Sequence, residues 1–140
     1  MLVRGACHCG NVRFELEWPG DALQEIPARA CGCSFCRKHG ATWTSHPRAR
    51  LDATIGDAQA VNGYEFGTRT ATFHVCTRCG VAPFVSCLLD GVRYAVVNVN
   101  CFEDAGAIRI AAAPASFEGE DLESRLARRR RNWIAKVRIG

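Results

Sequence analysis

The chain contains the sequences Cys7-His8-Cys9-Gly10 and Cys76-Thr77-Arg78-Cys79-Gly80, two close pairs of cysteines that each precede a glycine. Zinc prefers four ligands in a tetrahedron, with Zn–S bonds of about 2.3 Å. Two pairs brought together from distant parts of a chain satisfy that demand, and the glycines let backbone amides approach the sulfurs. We therefore predict a structural zinc on Cys7, Cys9, Cys76 and Cys79, whose binding free energy forms part of the folding free energy.

A third cluster lies between these pairs and reads Cys31-Gly32-Cys33-Ser34-Phe35-Cys36. Three protein ligands leave the fourth position of a zinc free for water or substrate, which is the usual arrangement of catalytic zinc. His39 is a candidate fourth ligand that would close the site as a second structural zinc. The spacing does not decide between a zinc with a free fourth position and a zinc that His39 closes. We expect two zinc sites, and because three ligands hold a metal less firmly than four, an empty second site would fit a labile zinc.

The cysteine pattern argues against disulfides. The nine cysteines are odd in number, and the one-residue gap in Cys7-His8-Cys9 suits two thiolates on one metal better than two separate bridges. The chain has 140 residues, of which 48% are hydrophobic. That size predicts one zinc-binding domain over residues 1–140 with a single core.

Charge and hydropathy exclude several classes of protein. No apolar run approaches the roughly 20 residues that cross a bilayer, and the residues from Met1 to Cys9 turn polar too soon for a signal peptide. We therefore expect no membrane partner and a cytoplasmic location, where thiols stay reduced. The net charge of +4 is mild, and much of the excess lies in the run Arg128–Arg131, which we interpret as a charged helix face. Nucleic acid is not an expected partner.

Hydrophobic alternation predicts a mainly β fold. The predicted strands lie at Val12–Trp18, Ala28–Cys33, Thr42–His46, Thr70–Val75, Pro83–Leu89 and Val92–Val99. Asp90-Gly91 predicts a hairpin between the last two strands. Helix-forming residues predict one C-terminal helix over Asp121–Lys136, with an apolar stripe of Leu122, Leu126, Trp133 and Val137. We expect Cys87 and Cys101 to be small structural residues, and Trp18, Trp43 and Trp133 to pack in the core or on a sheet face.

Three stretches resemble the family of glutathione-dependent formaldehyde-activating enzymes and centromere protein V. They are Gly5-Ala6-Cys7-His8-Cys9-Gly10-Asn11-Val12-Arg13-Phe14, Cys31-Gly32-Cys33-Ser34-Phe35-Cys36-Arg37-Lys38 and Cys76-Thr77-Arg78-Cys79-Gly80-Val81-Ala82-Pro83-Phe84. Asn98-Val99-Asn100-Cys101 also looks like the end of the family's core. The resemblance covers residues 3–104 and leaves 105–140 as a C-terminal extension. Three cysteine clusters in a fixed order are far more specific than a lone pair.

The resemblance implies stacked antiparallel sheets of the β-tent type, a structural zinc on the four-cysteine set, and a second, catalytic-type zinc on Cys31, Cys33 and Cys36. It implies a carbon–sulfur lyase that, run in reverse, condenses glutathione with formaldehyde to S-hydroxymethylglutathione. A related small thiol adduct is the wider substrate class. The alternative is a non-catalytic zinc scaffold or interaction module, because metal sites alone do not choose a substrate.

Two departures and two basic residues bear on that substrate. The segment Tyr64–Thr68 lacks a serine pair common in the family, and His74 stands where an arginine is common. A zinc held by three thiolates favours binding a thiol as thiolate over polarising a carbonyl. Arg37 and Lys38, beside the ligands, are candidates to pair with the carboxylates of glutathione. The alternative is that both are solvated surface charges.

Overall fold

The computed structural model describes residues 1–21 and 23–140 and is built mainly from β-strands. In these residues two α-helices are formed, α1 (Ser34–His39) and α2 (Leu122–Asn132). The strands are β1 (Leu2–Ala6), β2 (Val12–Glu17), β3 (Ile26–Cys31), β4 (Trp43–Thr44), β5 (Arg50–Ile55), β6 (Val61–Tyr64), β7 (Thr72–Cys76), β8 (Phe84–Leu89), β9 (Val92–Asn98), β10 (Ile110–Ala115) and β11 (Lys136–Ile139). None of these helices has the length and apolar character needed to cross a membrane.

The strands form two sheets. The smaller sheet has the order β1-β2-β5-β11, and the larger one has the order β10-β3-β4-β9-β8-β7-β6. Strand β2 shows why they pack together, because its residues alternate strictly between buried and exposed. Val12, Phe14 and Leu16 thereby enter a core that also contains Phe84 and Val97 of the larger sheet. Burying apolar surface on this shared face stabilises both sheets.

The Asp90-Gly91 hairpin is confirmed. Both residues have positive φ, at 50° and 78°, as a two-residue turn with the twist of the flanking strands requires. The turn sets the β8–β9 register, in which Leu89 faces Val92. As expected of a central strand, β9 is buried over its last four residues and lies between β4 and β8.

The sheets are not purely antiparallel, in contrast to the expectation from the sequence. Strand β10 pairs in parallel with β3, and β11 pairs in parallel with β5. Both added strands come from the C-terminal part of the chain and reach their neighbours by long connections. Such connections permit parallel pairing, whereas a tight hairpin permits only antiparallel pairing.

The C-terminal helix is shorter than predicted and is followed by a strand. Asp121 caps α2 by accepting a hydrogen bond from the Ser124 amide, and the backbone becomes extended at Trp133. Ile134 is fully buried and bridges to Ala95 in the larger sheet. Docking of Ile134 therefore ends the helix and turns the chain toward the β5 edge. Of the predicted apolar stripe, Trp133 is buried and Leu122 is exposed.

Candidate metal centres

Four sulfurs from the first and third cysteine clusters converge in the structure. The Sγ atoms of Cys7, Cys9, Cys76 and Cys79 all lie within 4.8 Å of one another. The Cys7–Cys9 and Cys9–Cys76 sulfur separations are 3.7 and 3.5 Å. A tetrahedron with Zn–S bonds of about 2.3 Å has S–S edges of about 3.8 Å. The four thiols therefore fit a structural zinc in number, chemistry and spacing.

Two turns position these sulfurs at the ends of strands. Cys7 follows β1 and Cys76 ends β7, so the group joins the smaller sheet to the larger one. Gly10 and Gly80 have φ of 83° and 80° and donate their amides to the carbonyls of Cys7 and Cys76. Their role is to close turns that residues with side chains rarely adopt. Backbone amides do reach the sulfurs, and that of Val12 lies 3.3 Å from Cys7 Sγ.

Backbone amides favour ionised sulfur in this group. Burial opposes ionisation of the Cys79 thiol, but hydrogen bonds from the backbone of Cys9 and Val81 outweigh it and lower the pKa of Cys79 to about 6. A thiol that ionises readily is a better metal donor, since the thiolate is the ligand. The group thus offers at least one thiolate near neutral pH.

The second group consists of Cys31, Cys33 and Cys36, whose Sγ atoms also lie within 4.8 Å of one another. Cys31 ends β3, Cys33 is the N-cap residue of α1, and Cys36 lies in that helix. The Cys33 sulfur accepts a hydrogen bond from the Cys36 amide at 3.4 Å. The strand end and the first turn of the helix therefore direct three sulfurs to one point.

Ionisation within this group is concentrated on Cys31. The hydrogen bond from Cys36 lowers the pKa of Cys31 to about 5 against the effect of burial, assisted by the backbone of Cys33 and the charge of Arg29. The same pairing with Cys31, together with burial, raises the pKa of Cys36. Trp43 Nε1 donates to Cys36 Sγ at 3.3 Å and fixes that sulfur. Three clustered thiols suit a soft metal such as zinc.

His39 is not part of the three-thiol group. Its ring lies against the Phe35 ring, with the centroids 5.3 Å apart. In the described residues the group capable of holding a metal contains the three cysteines alone. The open version of the site and ligation by His39 both stay predictions.

A cavity of about 450 Å³ opens beside the three thiols. Arg37 lines it, whereas its neighbour Lys38 is not among the lining residues. The segment Tyr64–Thr68, where the resemblance departs, contributes Phe66 and Thr68. The lining also contains four arginines that sequence reasoning did not place at the site: Arg29, Arg125, Arg128 and Arg129.

The prediction that Arg128–Arg131 form a charged helix face is only partly correct. Arg130 and Arg131 are exposed, as expected for a charged helix face. Arg129 is 7% exposed and points away from bulk solvent, and Arg128 is half-buried. A run of four arginines must occupy every side of a helix, so its sequence alone does not reveal which members face the protein.

Glu120 anchors α2 to the cavity wall. Arg128 donates to both Glu120 carboxylate oxygens at 3.0 and 3.1 Å, and Arg125 lies 3.4 Å from the same carboxylate. The Arg128 guanidinium also stacks on the Phe117 ring, 3.6 Å from its centroid. The hydrogen bond from Arg128 is the main reason that the pKa of Glu120 lies below its ordinary value.

The Glu120 contacts predict an acid-dependent loss of stability. A lowered pKa means that the carboxylate stabilises the folded state above its ordinary value of 4.5 and that this contribution disappears as the pH falls through the folded-state pKa. We expect Glu120→Gln to be less stable than the native protein at pH 7, and the difference to shrink as the pH falls below 4.5. Urea unfolding at matched zinc concentration measures it. The exposed Glu25→Gln serves as the control, and an E120Q protein as stable as the native one at pH 7 contradicts the assignment.

The other residues predicted from the sequence are found in packed positions. Cys87 and Cys101 are buried, as are Trp18, Trp43 and Trp133, which confirms the expected core roles. Trp43 and Trp133 also reach the cavity. His74 donates to or accepts from Ser86 Oγ at 2.7 Å and stacks on Phe84, and burial lowers the pKa of His74 to about 4. It is not among the cavity-lining residues.

Comparison with known proteins places this architecture in a family. The sequence model of the glutathione-dependent formaldehyde-activating enzyme family matches residues 2–117. A curated Halomonas elongata protein named "Putative glutathione-dependent formaldehyde-activating enzyme" is 30% identical over 105 residues, which are 61% of this chain and 56% of that protein. The chain therefore matches about half the length of this relative.

A solved structure shows a similar fold. The crystal structure of a Rhodobacter sphaeroides protein, a structural genomics target, superposes with a TM-score of 0.52 at 32% sequence identity, and covers 77% of this chain and 99% of that chain. The family match spans most of the chain and contains all three cysteine clusters. The chain belongs to the glutathione-dependent formaldehyde-activating enzyme family.

Proposed function

We propose that this protein binds zinc at both cysteine groups and adds the thiol of glutathione, or of a related small thiol, to formaldehyde. The reaction is that of a carbon–sulfur lyase run toward S-hydroxymethylglutathione. The observation that carries the proposal is the three-thiol group in the wall of an arginine-lined cavity. A thiol site and a cationic binding surface in one cavity suit a substrate that carries both a thiol and carboxylates.

The two metal groups have different tasks. The four-thiol group offers a complete tetrahedral set and joins the two sheets, which is a structural role. The three-thiol group supplies one ligand fewer and faces the cavity. A zinc bound to Cys31, Cys33 and Cys36 would supply the positive charge that keeps a coordinating thiol deprotonated.

The residues of the chain prepare the rest of the site. Trp43 holds the Cys36 sulfur through its indole N–H. Phe66, Phe73 and Val85 line the cavity with apolar surface that excludes water. Arg37, in the last turn of α1, adds a cation beside the thiols. These features position an anionic thiol and limit competing hydration of the aldehyde.

The proposed reaction is balanced without a redox partner. The sulfur of the substrate thiol forms a bond to the formaldehyde carbon, and the carbon–oxygen π bond breaks. The thiol proton ends on the new hydroxyl oxygen. Arginines near the cavity favour the anionic thiolate that attacks, because opposite charge stabilises ionised sulfur.

The three-thiol site also requires reduced cysteines. In the described residues all nine cysteines are free. A chemistry that consumes a free thiol and depends on unoxidised ligands supports a cytoplasmic location, where thiols are kept reduced.

The rate of adduct formation tests the function. We expect the zinc-loaded protein to accelerate the approach to equilibrium between glutathione and formaldehyde at least about 100-fold over buffer, a threshold set well below the roughly 10⁶-fold at which typical enzymatic rate enhancements begin. Rapid quenching followed by titration of the remaining thiol measures the rate. No acceleration with zinc at both groups contradicts the proposal and favours the non-catalytic zinc scaffold.

The neighbouring pair Arg37 and Lys38 provides a matched comparison in the same assay. Arg37 lines the cavity, and Lys38 does not. We expect Arg37→Ala to raise KM for glutathione about 10-fold, which is the effect of losing one charge-assisted hydrogen bond, and Lys38→Ala to change it less than about twofold. Equal effects of the two substitutions would contradict this placement of the cavity cations.

A further inference from the structure

Among the residues that the structure describes, Arg129 is a buried cation without a carboxylate partner. Its side chain is 7% exposed, and Nη1 donates to Thr70 Oγ1 at 2.8 Å and lies 3.5 Å from Cys87 Sγ. Its Nε is buried and has no acceptor in the described part of the chain. Burial lowers the pKa of Arg129, the contact with Cys87 raises it, and the charges of Arg128 and Arg125 lower it further. A buried guanidinium ordinarily has an anionic partner, because leaving its charge uncompensated is strongly unfavourable.

Trp133 presents a second donor in the same place. It is 6% exposed, its Nε1 is buried with no acceptor among the described residues, and its ring lies 5.0 Å from the Arg129 guanidinium carbon. A buried indole N–H usually has a partner, as that of Trp43 has in Cys36 Sγ. Both Arg129 and Trp133 line the cavity that contains the three thiols.

The Arg129 guanidinium and the Trp133 indole N–H both require a hydrogen-bond acceptor, and the guanidinium also requires negative charge. An oxyanion accepts hydrogen bonds from a guanidinium and an indole N–H together, whereas a neutral ligand leaves the charge of Arg129 uncompensated. Because the three thiols line the same cavity, one molecule can reach both regions if it carries a thiol and an anionic group. The cavity of about 450 Å³ lies in the size range of small-molecule sites.

We propose that Arg129 and Trp133 form a subsite that binds a carboxylate of the thiol substrate. This inference rests on the proposed function. It implies that the substrates are small thiols that carry a carboxylate at a distance from sulfur. Both residues lie beyond residue 117, where the family match ends. The C-terminal segment therefore sets specificity in this chain, while the cysteine clusters supply the chemistry common to the family.

Binding of S-methylglutathione to the zinc-loaded full chain tests the subsite, because this probe keeps its carboxylates and lacks a free thiol. Calorimetric titration compares the native protein with Arg129→Met, Trp133→Phe and Arg131→Met. We expect R129M to weaken binding about 10-fold or more and W133F about threefold or more, since hydrogen bonds to charged groups are the strong ones. R131M is the matched control, because Arg131 is exposed on the same helix and does not line the cavity.

Two further probes identify the anion. The diethyl ester of S-methylglutathione has no carboxylates, and we expect it to bind the native protein and R129M equally weakly. Inorganic phosphate tests the other source of an oxyanion. The proposal is overturned if R129M and W133F both bind S-methylglutathione as tightly as the native protein does. It is also overturned if phosphate binds more tightly than S-methylglutathione and if R129M weakens phosphate binding to the same extent.

The same titrations separate this inference from the proposed function. They contain no formaldehyde, so weakened binding in W133F supports the subsite even if the protein fails to accelerate adduct formation. Acceleration by the native protein together with unchanged binding in both variants overturns the subsite alone. Thermal melting is expected to show R129M at least as stable as the native chain without ligand, since an uncompensated buried charge is removed. If R129M does not fold, W133F decides the outcome, because phenylalanine keeps most of the packed ring.

Discussion

Replacing Cys76 by serine is expected to abolish the cooperative fold. Cys76 is fully buried, and its sulfur lies 3.5 Å from that of Cys9 within the four-thiol group. Structural zinc contributes about 10–16 kcal/mol of apparent binding free energy in small zinc domains. The entire stability of a domain is about 5–15 kcal/mol. Losing the tetrahedral set therefore removes as much free energy as the fold has.

Zinc analysis and far-UV circular dichroism measure this outcome together. We expect Cys76→Ser to lose zinc from the four-thiol group and to show no cooperative melting transition, and a strong chelator to have the same effect on the native protein. Cys101→Ala is the matched control, since Cys101 is also buried but belongs to neither metal-competent group. If the Cys76→Ser protein melts at the native temperature without bound metal, this site has no structural role.

Replacing Cys33 by alanine is expected to abolish activity while leaving the fold intact. Cys33 contributes one of three sulfurs beside the cavity and caps a helix of only six residues. Mutating a residue that only hydrogen-bonds to a metal ligand typically lowers metal affinity or activity about 10–100-fold. Removing a ligand itself should therefore lower the rate of adduct formation more than about 100-fold. The four-thiol group lies elsewhere in the fold and should keep its metal.

The expected signature of Cys33→Ala is a fall in bound zinc from two ions to one per chain, with an unchanged circular dichroism spectrum. Ser34→Ala is the control, because Ser34 is adjacent in sequence and lines the same cavity without belonging to the group. Native activity in Cys33→Ala, or loss of both ions, would contradict the division between a structural and a reactive group.

Under the proposed function, the arginines would let one cavity hold both the thiol and the carboxylates of its substrate. Three thiolates on one divalent ion would leave a net charge near −1, which would repel an anionic thiol. Five arginines line the cavity, and the carboxylate of Glu120 engages two of them. The remaining positive charge offsets that repulsion and draws in anions, an effect that is strongest where water is excluded. High salt is correspondingly unfavourable to substrate capture.

Some elements of secondary structure can be predicted from the sequence because the residues that specify them lie within the element itself. Alternation in Val12–Glu17 and the turn chemistry of Asp90-Gly91 depend on the residues themselves, and both were predicted. Strand β5 shows the same kind of alternation, with Leu51 and Ala53 buried, and could have been found in the same way. Strand β10 could not, because its alanine-rich sequence carries no strand signal and it is extended by pairing with β3.

The sequence by itself determined the cysteine clusters, their spacing and hence the family, and it predicts the kind of metal chemistry, because closely spaced thiols can reach one metal through local turns. Tertiary structure alone decided which charges face that chemistry. Arg129 and Arg131 are the same residue type on one helix, and only the docking of α2 beside Trp133 and Ile134 buries the first and exposes the second. Within a run of identical residues burial depends on contacts between distant segments, and no local pattern distinguishes the buried members from the exposed ones.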